Sequence, residues 1–212
     1  MTILLNGAAL VDGIQSAPPQ PRPLAGFGHL LRFMVRRDRV RAPVWIASIV
    51  GLIAVSAAIV AGLYDTPAEL MEYASLARAD AALKAFAGPG YGLDDPTLGA
   101  VVMNETLVYT FIIVALMCMF LVTRHTRAEE ETDRAELVRA AVVGRQATLA
   151  AAVVWVAIIN LVVAIGLALS LLAFGLSLMG TLAYSVATWA VGMVSVSYTH
   201  LTLPTTGMRG GW

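Results

Sequence analysis

The chain has 212 residues, of which 58% are hydrophobic and 13% charged; 14 basic and 14 acidic side chains leave a formal net charge of zero. Soluble domains carry about a quarter charged residues, so this composition excludes an ordinary soluble globular protein. A single cysteine excludes a disulfide scaffold, and the balanced charge marks no nucleic-acid partner.

Residues 1–23 read as a flexible tail in which Gly, Pro and small polar residues dominate, as in "APPQPRP". Residues 24–42 read as a basic amphipathic helix. In "FGHLLRFMVRRDRV", Phe27, Leu30, Leu31, Met34 and Val35 share one helical face, while Arg32, Arg36, Arg37 and Arg39 fall largely elsewhere. Such a helix either lies in the membrane interface or packs as a structural elbow. Pro43 is expected to bend the chain into the first span.

The transmembrane region is expected over 43–195, because about twenty apolar residues in helical form cross a hydrocarbon core of roughly 30 Å. "VWIASIVGLIAVSAAIVAGL" gives a span at about 44–63, and "TLVYTFIIVALMCMFLVT", lengthened by "TLGAVVMNE", gives one at about 102–123. The uncharged run from Ala147 to about Ser195 is too long for one helix. Folded at "AFGLSLMG", with Gly175 and Gly180, it gives spans at about 147–170 and 177–195. None of these runs shows the alternation a barrel needs, so the fold class is an all-α integral membrane protein with about four transmembrane helices.

Arginine placement orients them. Arg22, Arg32, Arg36, Arg37, Arg39 and Arg41 precede the first span, and Arg124, Arg127, Arg134, Arg139 and Arg145 follow the second. The segment 64–101 between them is acidic. Basic flanks stay inside, which places the N-terminus in the cytoplasm and 64–101 outside. Within that outer segment, Pro67–Phe86 has helical spacing before "GPGYGLDDP" turns the chain back, a pattern suited to a small cap.

The loop 124–146 holds the densest charge, "TRHTRAEEETDRAELVRAAVVGR" when counted from Thr123. Thr126 and Glu129 have capping-box spacing, so a new helix is expected to start at Thr126. Glu130 with Arg134 and Glu136 with Arg139 support it by i, i+4 and i, i+3 pairing. The helix is either a solvated, self-paired loop or a docking surface for an arginine-rich soluble partner.

The order of these elements resembles the membrane subunit of type 2 ABC transporter permeases. The charged loop is similar to that of actinobacterial permeases described as exporters of polyketide antibiotics and related to tetronasin-resistance permeases. The resemblance implies that 124–145 is the coupling helix on which an ABC ATPase subunit docks, through Arg127, Glu129, Glu130, Glu131, Asp133, Arg134, Glu136 and Arg139. It further implies a multi-pass protein of the bacterial plasma membrane that exports a hydrophobic or amphipathic small molecule, with ATP bound by the partner and no cofactor on this chain. The alternative is a membrane scaffold or sensor whose acidic loop recruits a partner that is not an ATPase.

No G-x-x-x-x-G-K-[ST] phosphate loop occurs, and His29, His125 and His200 show no metal-ligand spacing, so no catalytic, cofactor or metal site is expected. Cys118 reads as packing within a span. No acidic or basic side chain lies deep in a span, which points to an external energy source. Asn160, mid-span, either bonds to a neighbouring helix or contacts substrate. Glu105, near the outer end of the second span, is either an interfacial carboxylate or part of an exit vestibule. These two are the candidate substrate-path residues.

Residues 196–212 depart from the pattern. "VSYTHLTLPTT" back-translates to codons resembling the reverse complement of a transposase-based sequencing adapter, so the segment is expected to be adapter read-through and the chain an N-terminal fragment.

Overall fold

A computed structural model of the chain describes residues 24–130 and 147–202, with side chains omitted at 86–87, 126–130 and 199–202. Seven helices and no strand occur among these residues: α1 (Phe27–Arg37), α2 (Arg41–Leu63), α3 (Pro67–Ala79), α4 (Ala81–Ala87), α5 (Leu98–Glu130), α6 (Ala147–Ala173) and α7 (Leu178–Thr202). Four of them, α2, α5, α6 and α7, are long and apolar enough to cross a membrane. The protein is an all-α, multi-pass membrane protein.

The four long helices alternate in direction, giving the bundle an arginine-rich end, with α1, and a hairpin end, with α3, α4 and the α6–α7 connection. α6 is the central element, packed by α1, α2, α5 and α7. It buries Ala152, Val156, Ile159, Val163, Leu167 and Leu171, spaced three or four apart, while Ile158, Leu161, Ile165 and Leu169 on its other face remain exposed and equally apolar. A helix that is apolar all round suits lipid on one side and protein on the other.

α7 is held to its neighbours by polar contacts as well as packing. Tyr184 Oη lies 2.6 Å from the Thr110 hydroxyl and 3.0 Å from that of Thr106 on α5, with all three buried. Asn160 Nδ2 on α6 donates to the Trp189 carbonyl at 3.1 Å. That approach needs Gly192, since a Cβ there would collide with the Asn160 amide.

The α6–α7 turn is a Schellman motif. Gly175 sits at φ 78°, the Leu176 N–H bonds to Leu171 O at 3.3 Å, and the Gly175 N–H to Leu172 O at 3.0 Å. Gly180 takes no part in the turn; it lies in the first turn of α7. α7 itself continues past Ser195 to Thr202, and Val196 is buried.

Three other sequence expectations are corrected. Thr126 starts no helix, because α5 runs through it for 33 residues without a break. Residues Thr123–Glu130 contain neither Gly nor Pro, and a capping box acts only where the preceding backbone has left the helix. The bend into α2 falls at Asp38–Val40 rather than at Pro43, which occupies the first turn of α2, where its missing N–H leaves no interior helical bond unmade. The helical stretch 67–86 is two helices, broken at Asp80, whose carboxylate accepts from the Ala82 and Leu83 N–H groups and caps α4.

α3 begins with a capping box. The Thr66 N–H donates to Glu69 Oε2 at 2.9 Å, and the Glu69 N–H to Thr66 Oγ1 at 3.4 Å. The Thr66 bonds hold the Glu69 carboxyl below its usual range. Tyr73 then donates to Glu105 Oε1 at 3.0 Å, joining α3 to α5; burial, then the Glu105 charge, raises its phenol pKa. Asn104 of α5 clamps the returning loop at Tyr91, accepting from its N–H at 2.8 Å and donating to its carbonyl at 3.0 Å.

Candidate coupling site at the arginine-rich end

Most of the apolar face of α1 points into the protein, with Val35 left exposed. Met34, with Phe27, Leu30 and Leu31, packs on Ala151, Ala152 and Trp155 of α6, so the helix is a packed elbow. This contact carries the C-terminal end of α1 against the bundle. Asp38, its C-cap, bonds through its own N–H to Met34 O at 3.0 Å and enters the interior as the chain turns into α2.

The Asp38 side chain is 0% exposed. His125 Nε2 on α5 lies 2.6 Å from its Oδ2, and Trp155 Nε1 on α6 donates to the same oxygen at 3.1 Å. The direction of the His125 bond follows the tautomer of its ring. Arg124 Nε stands 3.7 Å from Oδ1, an ion pair beyond hydrogen-bond reach. Asp38 Oδ1 and Arg124 Nε and Nη1 are buried without a hydrogen-bond partner. A shift of Arg124 by less than about 1 Å would convert the ion pair into a charge-assisted hydrogen bond. The cluster holds three elements together with one carboxylate. Among the described residues, no group of three His, Cys, Asp or Glu side chains is placed to hold a metal.

The cluster grips α5 at the root of the charged loop. Arg127, Glu129 and Glu130 lie on the last turns of α5, with side chains outside the described set; Glu131, Asp133, Arg134, Glu136 and Arg139 lie outside the described residues altogether. At the other end Glu105 is occupied by Tyr73, while Asn160, midway along α6, is fully buried against α7 with its Oδ1 unpartnered. Neither Glu105 nor Asn160 lines the cavity between the starts of α5 and α7.

No family model matches the chain. Over 181 residues, 84% of its length, it is 38% identical to a multidrug efflux system permease protein of Mycobacterium tuberculosis. The chain spans about a third of that relative, 32% of its length. The matched stretch is long enough to include most of the helices described above.

Sequence reasoning passed over Asp38 and Trp155 and saw His125 only as an isolated histidine. Asp38 is the one acid in "RRDRV", a signal overshadowed by the arginines around it. Its partners are 87 and 117 residues away, and only the docking of α1 on α6 brings them together.

Proposed function

We propose that the chain is the N-terminal part of the membrane subunit of an ATP-driven exporter, with its arginine-rich end in the cytoplasm of a bacterial cell. A separate ABC ATPase docks on the loop 124–145, and the exported compounds are hydrophobic or amphipathic, with polyketide antibiotics among them. The observation that carries this reading is the 38% identity, over 84% of the chain, with a permease described as a multidrug efflux component. Physical support comes from the Asp38 cluster. Force applied to the loop reaches α5 beside Arg124 and His125, and Asp38 passes it to the α1–α2 elbow while Trp155 passes it to α6.

The test is reversal of charge at the start of the loop. In the full-length protein, Glu129→Lys, Glu130→Lys and Glu131→Lys together should abolish co-purification of the ATPase and uncouple transport from ATP hydrolysis. Inverting desolvated interface charges costs a few kcal/mol, whereas inverting solvated surface charges costs well under about 1 kcal/mol. Unchanged co-purification and transport, at both low and moderate salt, would reduce the loop to a solvated connection.

A further inference from the structure

At the hairpin end a cavity of about 210 Å³ opens between the start of α5, the end of α6, the start of α7 and the loop at Tyr91. Its floor is formed by Val102, Leu171, Thr181 and Tyr184, all buried, and its rim by Tyr91, Thr97 and Ser177, all exposed. Among the described residues, no charged side chain lines it.

The polar side chains around it are hydroxyls, each with a hydrogen to donate. Thr97 and Ser177 are the N-caps of α5 and α7: Thr97 Oγ1 accepts from the Ala100 N–H at 3.2 Å, and Ser177 Oγ from the Gly180 N–H at 3.3 Å. Each cap uses its oxygen in this way, and its hydroxyl hydrogen stays available. Thr181, 1% exposed in the wall, has a buried hydroxyl with no hydrogen-bond partner. Tyr184 is turned to Thr106 and Thr110, whose own hydrogens go to the Val102 and Thr106 carbonyls. Two long helices, α5 and α7, direct the positive N-terminal ends of their dipoles at this opening, against the single negative C-terminal end of α6.

We infer that this cavity binds an uncharged amphipathic molecule through a carbonyl-type oxygen: a ketone, ester or lactone set against the Thr97, Ser177 and Thr181 hydroxyls, with its hydrocarbon body against Val102, Met103 and Leu171. The helix dipoles favour an acceptor, the free hydroxyls supply donors, and no basic side chain among the described residues offers a counter-charge for an acid. A void of about 150 Å³ admits benzene. Drug-sized ligands occupy about 300–1,000 Å³. At about 210 Å³, the cavity therefore takes a body of one or two rings, or that end of a larger molecule. The inference rests on the exporter reading only in making this oxygen-bearing class the cargo; binding itself requires neither ATP nor an ATPase.

The probe is benzophenone, a two-ring ketone that crosslinks to neighbouring C–H bonds on irradiation, applied to the full-length protein in nanodiscs and followed by peptide mapping. Labelling is expected on 97–103 and 171–184, and should be competed by acetophenone but not by ethylbenzene, which has the same ring without the acceptor. Thr181→Val should weaken the labelling about three- to tenfold, the effect of one lost hydrogen bond, and Thr181→Ser should restore it. Gly99→Leu should abolish it, since a Cβ at Gly99 meets Leu176 at 3.8 Å and Thr97 Oγ1 at 3.9 Å, both ordinary contacts, and the longer side chain fills the space. Labelling spread over the lipid-facing residues and indifferent to Gly99→Leu, or equal competition by ethylbenzene, would overturn the inference. The charge reversal in the loop leaves this labelling untouched, so the two proposals fail separately.

Discussion

Asp38 carries more of the arginine-rich end than its size suggests, because one carboxylate oxygen bonds both His125 Nε2 and Trp155 Nε1. Breaking a buried charged contact leaves the remaining partners desolvated and unpaired, at a cost of about 3–5 kcal/mol. Asp38→Ala should therefore lower the thermal unfolding midpoint in detergent by several degrees, and His125→Ala should lower it less, since Trp155 still has an acceptor. The double variant should be little worse than Asp38→Ala alone, because both substitutions remove the same contact. Additive losses would show that the two side chains act independently. Glu105 and Tyr73 make a similar tie at the hairpin end, where the carboxylate remains partly exposed and the stake is smaller.

Between elements, the contact of α6 with α7 depends on a missing side chain. Gly192→Ala would push the Asn160 amide off the Trp189 carbonyl and separate the helices, an overpacking cost of about 1–3 kcal/mol. Adding Asn160→Ala removes the colliding group, so the double variant should be more stable than the sum of the single losses predicts; simple additivity in thermal unfolding would contradict the contact. How far such features can be read from sequence depends on range. The uncharged run from Ala147 shows a hairpin by length alone, and Gly175 marks its turn by local chemistry. The Asn160–Gly192 match is not legible, because it depends on the rotational phase of two helices that both look uniformly apolar. At Thr126 a local signal gave the wrong result: Thr and Glu have capping-box spacing, yet the helix was already under way and continued. Asp38 was lost for the same reason as Gly192, since its meaning comes from residues on other helices.

Taken as a whole, the chain divides its charge between two ends, and that division has a testable topology. A reporter that requires the cytoplasm should be active when fused at Arg134, and one that requires export should be active near Gly90; the opposite pattern would invert the molecule and remove the loop from reach of any ATPase. α5 connects these ends. At a rise of about 1.5 Å per residue its 33 residues extend about 50 Å. The Asp38 cluster holds it at Arg124 and His125, leaving a short arm of about 8 Å to Glu130 and a long arm of about 40 Å to Leu98. Between those points it is packed by α2, α6 and α7 and tied to α7 through Tyr184, so α5 is a braced link between the two ends. Thr97, Gly99 and Ala100 sit at its far tip and line the cavity, while Asn104 and Glu105 tie the Tyr91 loop and α3 to it. One unbroken helix thus runs from the start of the charged loop to the wall of the cavity, with no turn between them to absorb a displacement.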